Sequence, residues 1–244
     1  MRLSIIVFAF DEEENVEAVL GELIAWLRDN APPSEIVFVD DGSRDRTLEA
    51  AERALAGFPH RTARHDVNGG IGAALKTGVR LARGDWVTFM PADGQIEPAA
   101  VGTLLDAADD DAVDLVLSVY DHRDDGLDRT LLSAGVRGLI WLVHGVRLRS
   151  DGPYLFRRRL FVPEELPPDS FFLNFELPIR ALAAGIRART VTIACRPRRA
   201  GQSKSTGLRR IVGVARDLAD LRRRRLRRDR KSTRLNSSHR IASR

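Results

Sequence analysis

Glu35-Ile36-Val37-Phe38-Val39 runs into Asp40-Asp41-Gly42-Ser43, and Trp86-Val87-Thr88-Phe89-Met90 runs into Pro91-Ala92-Asp93-Gly94-Gln95. Each apolar run is short and rich in β-branched and aromatic residues, which predicts a buried strand. Each stops at a turn that carries carboxylates. Outward from these two, Leu3 to Phe10 is another strand-like run. Val16, Val19, Leu20, Leu23, Ile24 and Leu27 follow it at helical spacing. Thr47 to Leu55 reads as a helix ended by Gly57 and Pro59, and a further helix follows Asn68-Gly69-Gly70. Glu97 to Ala108 predicts a helix and Asp114 to Val119 a strand. Short strands alternating with helices predict βαβ units, hence an α/β fold with a mostly parallel sheet flanked by helices. Such sheets bind ligands beyond the C-terminal ends of their strands, where both acidic turns fall.

The second half is less regular. Thr130 to Val143 and Phe175 to Ala184 predict helices, Asp151 to Phe156 a short strand and Arg189 to Ala194 another. Leu208 to Leu226 predicts a C-terminal basic amphipathic helix. The expected organisation is one domain over 1–206, its 1–120 half binding the donor and its 121–206 half the acceptor. The basic helix occupies 207–231, and 232–244 is a tail with no fold of its own. One cysteine, Cys195, excludes an internal disulfide and a cysteine-rich zinc site. Arg196 to Arg244 holds 18 Lys or Arg and 3 Asp or Glu, a net +15 in a chain of net +5, so the first 195 residues carry −10. An acidic body with a basic tail predicts an enzyme held at an anionic membrane surface rather than a reader of nucleic acid. No stretch has the roughly 18 apolar residues of a membrane span, and the N-terminus lacks the pattern of a signal peptide. The expected location is cytoplasmic, peripheral at the inner face of the membrane.

Asp40 and Asp41 can accept hydrogen bonds from a base N–H or ribose hydroxyls. Asp93 is the candidate ligand for a hard divalent cation, Mg²⁺ or Mn²⁺, and Gln95 a candidate for diphosphate or sugar hydroxyls. Asn68-Gly69-Gly70-Ile71-Gly72 matches neither the dinucleotide nor the ATPase glycine motif. Lys76 lies one helical turn on. Arg129, Asp151 and Glu176 are the polar candidates in the acceptor half. Arg196, Arg198, Arg199, Ser203, Lys204 and Ser205 form a cationic cluster suited to phosphate. No Gly-x-Ser-x-Gly surrounds Ser43, which disfavours hydrolase chemistry.

These motifs together resemble the family 2 glycosyltransferases of GT-A fold, specifically the dolichol- and polyprenol-phosphate sugar transferases. The resemblance rests on Val7-Phe8-Ala9-Phe10-Asp11-Glu12-Glu13, on Val39 to Thr47, on Asn68 to Ala74, on Gly84-Asp85, on Phe175-Glu176 and on Arg196 to Ser205. It implies a nucleoside-diphosphate sugar held by Ala9, Asp11, Glu13, Asp40, Asp41, Asn68, Gly70, Lys76, Ala92 and Gln95. It implies a metal on Asp93 and catalytic or orienting roles for Asp93, Arg129, Asp151 and Glu176. An acceptor phosphate would sit among Arg129, Arg199, Ser203 and Lys204. The family's Asp-x-Asp stands here as Pro91-Ala92-Asp93, one carboxylate short. The activity so implied is inverting transfer of the sugar to a polyprenyl phosphate. Two alternatives stand beside it: a soluble or polysaccharide acceptor, and a weak or inactive nucleotide-binding scaffold at the membrane.

Overall fold

The computed structural model describes residues 2–110, 112–121, 127–166, 173–197 and 216–223, with the side chains of 127–134 and 173 outside the description. The first half alternates as the sequence pattern predicts: β1 (Leu3–Ala9), α1 (Val16–Asn30), β2 (Ser34–Asp40), α2 (Thr47–Leu55), β3 (His60–Arg64), α3 (Gly70–Leu81), β4 (Trp86–Pro91), α4 (Ala99–Ala107) and β5 (Leu115–Tyr120). The second half adds α5 (Leu127–His144), β6 (Leu155–Arg157), α6 (Leu173–Ala183) and β7 (Ala188–Ile193). One sheet results, in the order β3-β2-β1-β4-β6-β5-β7. Every pairing is parallel except those of β6, which runs antiparallel to both β4 and β5.

Alternation along the strands builds the layers, because successive side chains point to opposite faces. Ile5 and Val7 of β1 join Leu20 and Leu23 of α1, Leu55 of α2 and Leu104 of α4 on one face. Ile6 of the same strand joins Leu75 of α3, Ile140 of α5 and Ile179 of α6 on the other. The central strands β1, β2, β4 and β5 are thus buried between two helical layers, which is why they read as apolar runs.

β3 differs from the sequence expectation, which placed no strand there. Its residues, His-Arg-Thr-Ala-Arg, are polar and partly exposed, as suits an edge strand that pairs on one side only. The short strand expected over Asp151–Phe156 forms later, at Leu155–Arg157. Residues 216–223 are helical, and Leu218 and Leu221 are buried in the second core layer. The Leu218 carbonyl lies 3.3 Å from His144 Nε2 of α5. The apolar side of this part of the basic helix is therefore covered by protein. The rest of 207–231, and all of 232–244, lie outside the described residues.

Candidate functional site

Parallel register places Ala9 opposite Asp40 and Phe8 opposite Pro91. Beyond the strands the chain stays bonded to β1: the Asp41 N–H donates to the Ala9 carbonyl at 2.8 Å, and the Ala92 N–H to the Phe8 carbonyl at 3.0 Å. Both acidic turns thus sit at one edge of the sheet, on either side of the end of β1. With neighbouring strands about 4.8 Å apart, the turns are on the order of 10 Å apart, a gap that a nucleoside diphosphate can span.

On the β2 side, the aspartates are engaged by protein. Asp40 is fully buried. Its Oδ1 accepts the Ser43 N–H at 3.0 Å, and its Oδ2 forms an ion pair at 3.3 Å with Arg64 Nε, without hydrogen-bond geometry. Arg64 also donates to the Ser43 carbonyl at 3.0 Å. Asp41 accepts the N–H of Gly69 at 3.0 Å and of Gly70 at 2.7 Å, and His65 Nδ1 lies 2.7 Å away. The pair therefore builds a wall of loops beyond β2, and Asn68 stands exposed on the loop that Asp41 holds. Gly42 has φ +80°, and a Cβ there would come within 2.7 Å of the Val67 carbonyl carbon and 2.8 Å of the Asn68 nitrogen. Only a glycine lets the two loops approach this closely.

Asp11 and Glu13 are tied to the same wall. Asp11, at φ 52°, donates its N–H to Ser43 Oγ at 2.9 Å and accepts the Arg44 N–H at 2.8 Å. Glu13 accepts the Arg46 N–H at 3.0 Å and donates its own to Asp45 Oδ2 at 3.2 Å. Partial burial pushes the Asp45 carboxyl up, but the Thr47 hydroxyl and the surrounding N–H groups outweigh it, and the net displacement is below the usual value. Lys76 is half-buried on α3. Sequence reasoning missed Arg64 and His65 as parts of this wall and named Asp45 only within the Val39 to Thr47 stretch. Arg64 ends and His65 follows an edge strand that has no apolar signal to announce it.

On the β4 side, Asp93 is 5% exposed, and its Oδ1 accepts the Gln95 N–H at 3.1 Å. The Gln95 carbonyl accepts the Arg196 N–H at 2.9 Å, and Ile96 bridges to Cys195. The Arg196 guanidinium pairs with Glu97 and reaches Glu22 at 3.5 Å. The start of the basic cluster is thus fastened beside the Asp93 turn, although Arg199, Ser203 and Lys204 lie outside the described residues. Residues Asp151 to Tyr154 pass between β4 and β5. The Asp151 N–H donates to the Ser118 carbonyl at 3.0 Å, and Thr88 Oγ1 donates to the Tyr154 carbonyl at 3.1 Å. Asp151 itself faces Arg137 at 3.4 Å. Glu176 is 1% exposed, with Arg180 3.7 Å away one turn along α6. Arg129 is in the first turn of α5, its side chain outside the described residues. Burial pushes the Tyr154 hydroxyl far above its ordinary range. It therefore stays protonated and packs edge-on against Phe89, with ring centroids 4.8 Å apart.

Among the described residues no group of three or more His, Cys, Asp or Glu could hold a metal. Asp93 alone fits a cation that takes most of its oxygens from a diphosphate and water, the usual habit of Mg²⁺.

The family model described as Glycosyl transferase family 2 matches residues 4–167, well over half of the chain. The chain belongs to that family. The undecaprenyl-phosphate 4-deoxy-4-formamido-L-arabinose transferase of Edwardsiella ictaluri is 28% identical over 218 residues, covering 88% of this chain and 66% of its own. The dolichol-phosphate mannosyltransferase of Pyrococcus furiosus is 27% identical over 219 residues, covering 85% and 60%. The glycosyltransferase-family chain thus spans less than two thirds of the length of these relatives. Glucosyl-3-phosphoglycerate synthase from Mycobacterium tuberculosis, solved with Mn²⁺, uridine diphosphate and phosphoglyceric acid, matches with a TM-score of 0.67 at 21% identity, covering 90% of this chain and 76% of its own. The likeness shows the GT-A fold expected from the sequence.

The same structures correct the expected acceptor. They hold phosphoglyceric acid, a small soluble molecule, in a protein of this fold, so the reading of polyprenyl phosphate as acceptor and partner is not retained. No described helix is long and apolar enough to cross a membrane. The membrane-surface reading rested on the charge of the basic segment, and at 216–223 the leucines of that segment, Leu218 and Leu221, are buried against protein.

Proposed function

We propose that this chain is a glycosyltransferase that moves a sugar from a nucleoside-diphosphate sugar to a soluble acceptor, with Mg²⁺ or Mn²⁺ as cofactor. The observation that carries this reading is the placement of the Asp41-held loop and the Asp93 turn at one edge of the sheet, with Arg196 fastened to the latter. The first half, 1–120, takes the donor. The base and ribose lie against the wall built from Ala9, Asp11, Glu13, Asp40, Asp41, Asn68 and Gly70. Lys76, Ala92 and Gln95 border the diphosphate. Asp93 holds the cation, which when bound neutralises charge on the leaving diphosphate. The acceptor enters from the 121–206 half, where Asp151, Glu176 and Arg129 orient it. Arg199, Ser203 and Lys204 supply donors for an anionic group on it. A soluble acceptor is favoured because the fold carries one in the solved structures it resembles, and because the apolar face at 216–223 is buried rather than offered to lipid.

The test is a transfer assay with UDP-, GDP-, ADP- and TDP-sugars and Mn²⁺. Three acceptor sets are offered: small phosphorylated acids, free oligosaccharides, and polyprenyl phosphate in detergent. Transfer to a soluble acceptor is expected, lost on adding EDTA and reduced at least about 100-fold by Asp93→Ala, the scale of losing one transition-state contact. Transfer to the lipid alone overturns the acceptor, and no turnover with any donor overturns the enzyme reading.

A further inference from the structure

We propose that His65 is a positioning residue of the donor site, acting through Asp41 to fix the Val67–Gly70 loop before any ligand arrives. The inference rests on the donor reading above and adds a residue to it.

The geometry is a chain across three elements. Asp41 follows β2, His65 follows β3 and Thr77 lies on α3. His65 Nδ1 is 2.7 Å from Asp41 Oδ1, and His65 Nε2 is 2.9 Å from Thr77 Oγ1. A carboxylate only accepts, so Nδ1 carries the proton toward Asp41. In the neutral ring Nε2 then accepts the Thr77 hydroxyl proton. The His65 N–H donates to the Asp40 carbonyl at 2.9 Å, which fixes its backbone to the end of β2. The imidazole is thus held at both nitrogens and has little freedom of its own.

Its effect falls on the carboxylate. Asp41 Oδ1 takes Gly69 N–H and His65, while Oδ2 takes Gly70 N–H. Two separate oxygens hold two successive glycine amides only while the carboxylate keeps one rotation about its last torsion. His65 supplies the side-chain contact that selects this rotation. Gly69 and Gly70 have no side chains to hold themselves, so without it the loop regains the wide backbone freedom of glycine. That loop lies directly on Gly42 of the β2 turn, so its wandering deforms the wall against which a nucleoside would lie. Ordering it in advance removes an entropy cost from binding.

Three substitutions separate this role from general stability. Asn places an N–H where His Nδ1 stood, Gln reaches only toward Thr77, and Ala keeps neither. UDP with Mn²⁺ is titrated calorimetrically into the wild type, His65→Asn, His65→Gln and His65→Ala. Amide hydrogen exchange at Gly69 and Gly70 is followed in the same proteins without nucleotide. His60→Ala, at the exposed start of β3, controls for loss of stability.

Expected are a loss of UDP affinity of about tenfold in His65→Ala and His65→Gln, the scale of one hydrogen bond to a charged group. Faster exchange at both glycines accompanies it. His65→Asn stays within about threefold of wild type, on the same scale. In turnover the loss appears in the donor KM and not in kcat. Unchanged affinity and exchange in His65→Ala, or an Asn variant as weak as Ala, overturns the proposal. Faster glycine exchange in His65→Ala of a protein whose wild type binds no UDP supports the loop-holding role and sinks the donor reading alone.

Discussion

Gly42 shows how much one residue decides at the wall beyond β2. Its φ of +80° is a conformation that L side chains rarely adopt, and a Cβ would press on backbone atoms of Val67 and Asn68. Backbone cannot swing aside as the end of a flexible side chain can. Gly42→Ala is expected to cost about 1–3 kcal/mol, from overpacking and backbone strain together. It is also expected to weaken UDP binding by displacing the loop. Thermal melts and titration check both, and a variant as stable and as tight as wild type contradicts the packing. The acidic motif was legible in the sequence as a pair, but the role of each carboxylate was not. The pattern could not show that Asp40 faces Ser43 and Arg64 while Asp41 faces Gly69, Gly70 and His65. Ser43 is a local partner, three residues on, whereas His65, Gly69 and Gly70 lie 24, 28 and 29 residues from Asp41, and Arg64 and His65 arrive only once β3 has paired with β2.

The elements with strong periodicity were readable, and the marginal ones were not. β1, β2, β4 and β5 are buried by helices on both faces and appear as apolar runs. β3 sits at the edge and has almost no such run. The basic helix is the instructive case. Its Arg-rich pattern suggested charge that meets an anionic surface, but it did not show that Leu218 and Leu221, 1% and 2% exposed, lie in the core. Amphipathicity specifies that a face is to be covered but not by what. Leu218→Ala and Leu221→Ala are each expected to cost about 2–5 kcal/mol, as for other leucines removed from a core. Denaturant melts measure this, and a change near zero would show that the segment does not pack where the structure places it.

For the molecule as a whole, binding of donor and cation should register as stability. Saturating UDP with Mn²⁺ at about 100 times its dissociation constant adds about 2.7 kcal/mol. In a chain of this size that raises Tm by about 5–10 °C. Adding EDTA is expected to remove most of the rise, because Asp93 is the lone protein carboxylate assigned to the cation. It should remove none of it in Asp93→Ala. A rise that persists in full with EDTA contradicts the metal assignment. The chain carries −10 ahead of Arg196 and +15 from Arg196 onward. The start of the basic segment is fastened beside Asp93, because the Arg196 N–H donates to the Gln95 carbonyl.

The sequence by itself determined the α/β architecture and the two acidic strand ends, because burial on both faces forces apolar strands and local turn chemistry ends them. It also determined that one carboxylate of the expected pair is missing at Pro91, which is a matter of identity and not of folding. Only the tertiary structure decided that Asp40 and Asp41 build a wall from partners distant in sequence, and that the basic helix has its leucines in the core. Hydrogen-bond partners and the covering of an apolar face depend on which segments the sheet order brings together. No local pattern records that order.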